Sequence, residues 1–411
     1  MRRIGYLILW LATLVGLGAI VQRFSQGLIV TNMTQNVPWG FWIALYIYFI
    51  GLSAGSFLLS TLIYVFGVKR LEAIGRMALF QALLCMLIGL FLIFIDLGHP
   101  ERFYKVITSL NPTSVLSWES VLYTIYCVII LFELYYAMRI DFIKLAQQPG
   151  ALQWLYRIFA LGSHDTSVAS TEKDRKCLKV LGIIGIPIAI GVHGGTGAIF
   201  AVAKARPLWF SGLFPIVFLV SALASGGALL TFLTALFFHK TPEEKRNLVR
   251  SLAHMTVGFL CLDIFLLISE ILVALYGGIP QEVAGWRMTY SGYYGGVFFW
   301  LLQLGIGGLL PIILVAHPKT GRSVGGLGLA SFLIVLGMLG VRINIVIPPL
   351  INPVFELFPD AYHHFRYSVG YMPSINEWLV SLGSIAFVIW GLLIANKILP
   401  LSGTSEGGSH A

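Results

Sequence analysis

The segment from Pro38 to Phe66 decides what class of fold this sequence can adopt. It opens with Pro38-Trp39-Gly40-Phe41-Trp42 and continues as an apolar run to Phe66. Roughly 29 residues of this kind exceed a soluble core helix and fit a tilted membrane span, with the tryptophans as its anchor at one water interface. Nine further runs meet the length needed to cross a bilayer: approximately 4–21, 77–97, 117–138, 178–203, 208–237, 253–276, 293–315, 325–347 and 377–399. Of the 411 residues, 57% are hydrophobic and only 11% charged, against about 25% charged in soluble domains. The runs lack the polar faces that a soluble helical bundle needs. An all-α integral membrane protein of about ten transmembrane helices is predicted. Met1-Arg2-Arg3 before Ile4–Ile20 imitates a signal peptide, but no small-x-small site ends that run, so an uncleaved first helix is expected.

The second run repeats later in the chain. Leu52-Ser53-Ala54-Gly55-Ser56-Phe57-Leu58-Leu59 aligns with Leu223-Ala224-Ser225-Gly226-Gly227-Ala228-Leu229-Leu230, and Pro207-Leu208-Trp209 stands near the second copy's start. An even number of helices between the copies gives both the same orientation. Two repeated four-helix bundles follow, runs two to five and six to nine, related by an axis along the membrane normal. The predicted division is 1–37 for the first helix and an outer loop, and 38–203 for the first bundle with loop 139–177. The second bundle takes 204–347, an outer loop and the last helix 348–399, and a disordered tail 400–411. In the long loop, Leu152–Leu161 with Trp154, Tyr156 and Arg157 suits the membrane surface. The fifth run is the most interrupted, by Gly182, Gly185, Pro187 and His193-Gly194-Gly195-Thr196-Gly197.

Charge sets the orientation. Of the 27 Lys and Arg, eight (Arg23, Arg102, Lys105, Lys204, Arg206, Arg287, Arg342 and Arg366) lie on the side of the odd-numbered loops. The other 19 sit at the termini and in the loops after even-numbered runs, so both termini are expected in the cytoplasm. The formal charge of +9 is then explained by topology, and no nucleic-acid partner is expected. Cys85, Cys127, Cys177 and Cys261 form no C-x-x-C pair, so no iron–sulfur cluster or c-type haem is expected in this protein.

With this topology the ionisable residues gather near the outer face. Asp96 ends the third run, Glu119 opens the fourth, His193 and Glu270 lie far along the fifth and seventh, Arg342 is near the outer end of the ninth, and Glu377 opens the tenth. Trp39 and Trp209 share that depth. Plainer readings stay open: Asp96 meeting headgroups beside Arg102, Glu119 merely interfacial, Arg342 snorkelling, Glu377 capping its helix, the tryptophans only a belt. His193 and Glu270 are harder to dismiss, because an ionisable group at membrane depth costs several kcal/mol unless paired or functional. A second set, Glu133, Asp263 and His254, reaches inward and with Glu270 forms a candidate proton route. The alternative is structural pairing of Glu133 and Asp263 with hydroxyls or Gln81.

Of the nine histidines only His193 and His254 fall in the runs, at different depths, so facing haem ligands are not expected. No Walker, nucleophile-elbow or zinc motif is present, and no metal site is predicted. An imidazole, carboxylates and aromatics near one face suit a quinone headgroup, which needs lipid access, a hydrogen-bond donor and proton exchangers. A secondary transporter with internal repeats is the second reading; a passive anchor is the third.

At these residues the chain resembles the NrfD/PsrC family, membrane subunits of polysulfide reductase and related respiratory complexes. The resemblance rests on Pro38-Trp39-Gly40 with Gly51-x-Ser53-Ala54-Gly55, Asp96-Leu97-Gly98 with Pro100 and Arg102-Phe103, and the repeated bundles. His193-x-x-x-Gly197 before Pro207-Leu208-Trp209, Ser114-Val115-Leu116-x-x-Glu119, Glu270-Ile271-Leu272, Arg342 and Tyr371-x-Pro373 leading to Glu377-Trp378 point to its ten-helix, HybB-, DsrP- and Hme-like branch. The resemblance implies a cofactor-free subunit reacting with menaquinone or another quinone, at positions matching His193, Asp96, Glu119 and Glu270. It implies docking of an extracytoplasmic ferredoxin-like iron–sulfur subunit, with a multihaem cytochrome c, a hydrogenase or a heterodisulfide-reductase-like subunit as further partners. Gly194, Gly195, Ile199 and Phe200 depart from the polar or acidic residues of some relatives, so proton-handling details do not carry over.

Overall fold

The computed structural model describes residues 2–65, 74–238, 241–353 and 364–401. The proposed disorder of the tail from 402 onward, the end of the second run at Phe66, and basic Lys69, Arg70 and Lys240 lie outside the described residues. Among those described there is no β-strand. Ten helices are long and apolar enough to cross a bilayer: α1 (Arg2–Gln26), α2 (Phe41–Tyr64), α3 (Gly75–Asp96), α4 (Val115–Gln147), α5 (Val168–Ala201), α6 (Phe214–Phe237), α7 (Pro242–Gly277), α8 (Gly292–Ala316), α9 (Val324–Ile351) and α10 (Ile375–Ile398). The protein is an all-α, multi-pass integral membrane protein.

Three helices outrun their apolar segments. Helix α4 continues through Arg139 to Gln147, α5 starts at Val168 with Ser167 as its cap, and α7 starts at Pro242 with Thr241 accepting from the Glu244 N–H. Capping and side-chain pairing carry these turns once apolarity has ended. Arg139 Nε donates to both oxygens of Asp174, at 3.1 and 2.9 Å, and Nη1 donates to Ser163 at 2.9 Å, tying the α4 and α5 extensions together. The segment 139–177, read as a loop, is therefore mostly helical, and only 148–167 connects the two. Within it Gln153–Phe159 is a short helix whose Tyr156 hydroxyl donates to Ile398 O at 2.9 Å. Pro187 sits inside α5, which stays helical, because neighbouring helices pack along it and take up the disruption.

Helix α2 packs on α3 and α5, and α4 on α5 and α3, closing one four-helix group; α6 packs on α7 and α9, and α8 on α9, giving the other. The groups meet along α2 and α6. A Cβ on Gly55 would strike the Ala222 carbonyl, and one on Gly226 would strike the backbone at Gly55 and Ser56. The two related small-residue stretches thus cross each other, backbone against backbone. Helices α1 and α10 pair outside, with Gly16 against Gly383, and lean on α3 and α2. Arg76 Nη1 donates to Pro400 O at 2.9 Å, so the C-terminal end of α10 lies at the same end of the bundle as the start of α3.

Candidate functional site

Most of the singled-out residues lie toward the end of the bundle where Trp39 and Trp209 stand, but in three separate places. At the centre, α5 buries Val192, His193, Thr196, Gly197 and Phe200 along one stripe. Among the described residues, neither ring nitrogen of His193 has a hydrogen-bond partner. One turn on, Thr196 Oγ1 lies 3.0 Å from the Tyr123 hydroxyl, which donates to Glu119 Oε1 at 2.6 Å and is also hydrogen-bonded to the Tyr46 hydroxyl. Glu119 is buried on the side of α4 turned toward α5 at Gly195, whereas Leu116 and Trp118 on the same stretch face outward. Glu119, Tyr123, Tyr126 and Glu133 lie on one buried face of α4, at spacings of three, four and seven. Both oxygens of Glu133 are without partners, and Gln81 donates to Ser56 instead.

Arg342 enters this centre from α9. It is 1% exposed, which overturns the snorkelling reading: its position on the helix faces α2 and α6, away from lipid. Nη2 donates to Ser221 at 2.7 Å, the guanidinium lies 5.0 Å from the Phe218 ring centroid, and Nη1 has no partner. It lies within electrostatic reach of both His193 and Asp263.

An aromatic wall closes the centre toward that end. Trp39 stacks on Trp209 at 5.6 Å, and both meet Phe200, at 5.5 and 5.0 Å. Trp209 Nε1 donates to Ile345 O at 2.6 Å. The wall is held by Arg206, whose Nη1 donates to Pro349 O at 3.0 Å and Asn352 O at 2.9 Å, and Nη2 to Asn36 O at 3.3 Å. Burial lowers the Arg206 pKa from its ordinary value.

Asp96 stands apart from His193, at the end of α3 against α1 and α10. Its Oδ1 has no partner; the nearby charges are Arg23 and Glu377. Arg23, on α1, donates to Ile95 O at 2.8 Å and Leu97 O at 2.6 Å. Arg102 does not support Asp96: its side chain is 58% exposed and lies 3.6 Å from Glu101, because the chain leaves the helix at Leu97 and turns outward. Glu377 caps α10 in a capping box with Ser374. It also accepts from Asn32 N at 3.1 Å and from the Tyr371 hydroxyl, which itself accepts from Phe41 N at 2.7 Å. Burial, then the Glu377 carboxylate, raises the Tyr371 phenol above its ordinary range, so it stays a donor. The capping reading of Glu377 describes its contacts.

The third place is a cleft in the second helix group. Asp263 and Glu270 line it with Trp209, Gln303 and Asn344. His254 does not join them: it is exposed, and its Nδ1 meets Arg250 O at 2.7 Å. At about 100° per residue, nine residues place it half a turn around α7 from Asp263, whereas the seven residues from Asp263 to Glu270 keep those two in line.

The chain matches the family described as Polysulphide reductase, NrfD, over residues 29–353. It belongs to the NrfD family. It is 40% identical to the C subunit of selenate reductase from Mesobacillus selenatarsenatis, over 98% of this chain and 95% of that protein. Identity is 29% to the Hdr-like menaquinol oxidoreductase integral membrane subunit of Archaeoglobus fulgidus, over 96% and 93% of the two proteins. With the C chain of polysulfide reductase from Wolinella succinogenes it is 28%, over 76% and 94%.

For this NrfD-family protein, sequence reading passed over Tyr46, Tyr123, Arg206, Arg23, Gln303 and Asn344. Tyr123 carried a usable signal, four residues after Glu119. Arg206 and Arg23 were counted only as charges, since no local pattern reveals that a distant carbonyl awaits them.

Proposed function

We propose that this NrfD-family protein is the quinone-reactive membrane subunit of a multi-subunit respiratory oxidoreductase. In this reading it exchanges electrons between menaquinone, or ubiquinone, and an extracytoplasmic ferredoxin-like iron–sulfur subunit. The names of its relatives, which include a menaquinol oxidoreductase and two reductases, support the quinone-linked class. One observation carries the site: a buried imidazole with both nitrogens unpartnered among the described residues, within electrostatic reach of a buried guanidinium whose Nη1 is likewise unpartnered. Buried polar groups without partners call for a guest that satisfies them. A quinone oxygen accepts from Arg342 Nη1 and the imidazole N–H, and Arg342 stabilises negative charge developing on the ring. As the quinone takes up electrons from the partner subunit, the imidazole N–H gives its proton to that oxygen while the other ring nitrogen takes one up. Thr196, Tyr123, Tyr46 and Glu119 then supply adjacent hydroxyls and a carboxyl for passing it on. In this assignment Trp39 and Trp209 shield the site, and Asp96, Glu133, Asp263 and Glu270 are further proton carriers. The membrane is the cytoplasmic membrane, with the Trp39 end outward.

His193→Ala tests the assignment. Quinone-linked turnover of the purified complex is expected to fall about 100-fold or more, with all subunits still co-purifying. Quinol oxidation at the wild-type rate would remove His193 from the site.

A further inference from the structure

The cleft of the second helix group has the chemistry of a ligand site that is distinct from His193. It is a small cleft of about 60 Å³, part of it open to the exterior. Its polar lining is deeply buried: Asp263 and Asn344 are 8% exposed and Gln303 9%. Asn344 Nδ2 donates to Gln303 Oε1 at 2.7 Å, and Asn344 Oδ1 has no partner. One such bond between two amides leaves the carbonyl of one and the NH2 of the other unpaired with each other, whichever way they are flipped. Here those spare groups are at Gln303 and Asn344. Glu270 Oε1 is likewise without a partner. Two amide and two carboxyl side chains therefore line one space, whose other walls are apolar and aromatic: Trp209, Trp286, Phe299, Leu267 and Ile345.

The cleft does not end at Asp263. A second, narrow space of about 10 Å³ shares Asp263, Leu267, Gln303 and Val341 with it and continues among Leu260, Ile264, Leu304 and Met338. It adds no polar side chain to those two. Helices α7 and α8 touch only sparsely along this seam, and Ile264, Leu267 and Leu304 are half-buried there. The α8 wall, Gly295–Leu309, is wound as a π-helix, a geometry frequent at functional sites. Gly307 and Gly337 hold it against α9 with no room for a Cβ.

We infer that this cleft binds a prenylated quinol or quinone, its ring among Gln303, Asn344, Asp263 and Glu270 and its tail in the apolar seam between α7 and α8. The occupant follows from the shape: a polar cup opening into an apolar groove matches a ring with two oxygens and a hydrocarbon tail. A phospholipid would bring a phosphate into a cup lined by two carboxyl groups. The inference rests on the quinone-linked reading for the kind of ring, and on the cleft alone for the place. Trp209 is the shared wall, stacked on Trp39 and Phe200 on one side and lining the cleft on the other.

The test is photolabelling of the full-length protein, in its complex and in lipid nanodiscs, with an azido-naphthoquinone bearing a prenyl tail. Labels are expected on the peptides that contain Trp286 and Phe299. Asn344→Leu and, separately, Trp286→Ala each lower them about tenfold, and unlabelled prenylated naphthoquinol competes. His193→Ala leaves this labelling unchanged. Labels confined to α5 around His193, or competition by prenyl alcohol equal to that by the quinol, would overturn the inference. Cleft labelling together with full turnover of His193→Ala would sink the His193 assignment and keep the cleft. Loss of turnover in His193→Ala with no cleft labelling does the reverse.

Discussion

Tyr371 ties two helices together with a single hydroxyl. It donates to Glu377 Oε1 and accepts from the first N–H of α2, so the caps of α2 and α10 depend on one another. Removing that oxygen leaves Phe41 N with only the longer 3.4 Å contact to Glu377. Tyr371→Phe is expected to destabilise the protein by about 1–3 kcal/mol, read as a lower thermal midpoint in detergent. An unchanged midpoint would show that the cap of α2 is held otherwise. The same scale separates residues that local sequence reveals from those it hides. Glu119 and Tyr123 are four apart, and Asp263 and Glu270 seven apart, so helical periodicity alone puts each pair on one face. That arithmetic also places His254 on the opposite face from Asp263, as found. By contrast, Arg342 was open to a snorkelling reading, because nothing near it in the chain shows that Ser221 and Phe218 come from another helix.

At the scale of elements, the crossing of α2 and α6 controls the join between the two helix groups. Gly55 and Gly226 stand where any side chain meets backbone, which cannot give way as a flexible side chain would. Gly226→Ala is expected to cost about 1–3 kcal/mol or more, seen as loss of folded protein in size-exclusion chromatography and a lower thermal midpoint. Gly258→Ala, where nothing lies within 4 Å, is the matched control and is expected to be neutral or slightly stabilising. Equal effects of the two would show that the crossing is loose. The repeat between these stretches was legible in the sequence. That the two copies touch each other was not, since a repeat specifies similar elements and leaves their mutual contact open.

For the whole molecule, the distribution of basic residues makes a prediction independent of packing. Of 27 Lys and Arg, 19 sit at the termini and in the segments that follow even-numbered runs, a side that the positive-inside rule assigns to the cytoplasm. In a background with the four native cysteines replaced, Glu101→Cys should react with a membrane-impermeant maleimide in intact cells, and His164→Cys only after lysis. The reverse pattern would invert the topology and put the Trp39 end inside.

The amino-acid sequence by itself determined the class of fold, the number of spans and the residues that are costly to place in a membrane. These follow from apolar run length and the desolvation of charge, which are properties of a segment taken alone. It did not determine that Asp96, His193 and Asp263 occupy three separate places. Depth along a helix is read from residue count, whereas lateral position depends on which faces of ten helices meet. Only the tertiary structure decided that. It brought Arg342 within electrostatic reach of His193 and Asp263, turned Arg206 onto the ends of its neighbours, and paired Gln303 with Asn344 over a cleft that no linear pattern marks.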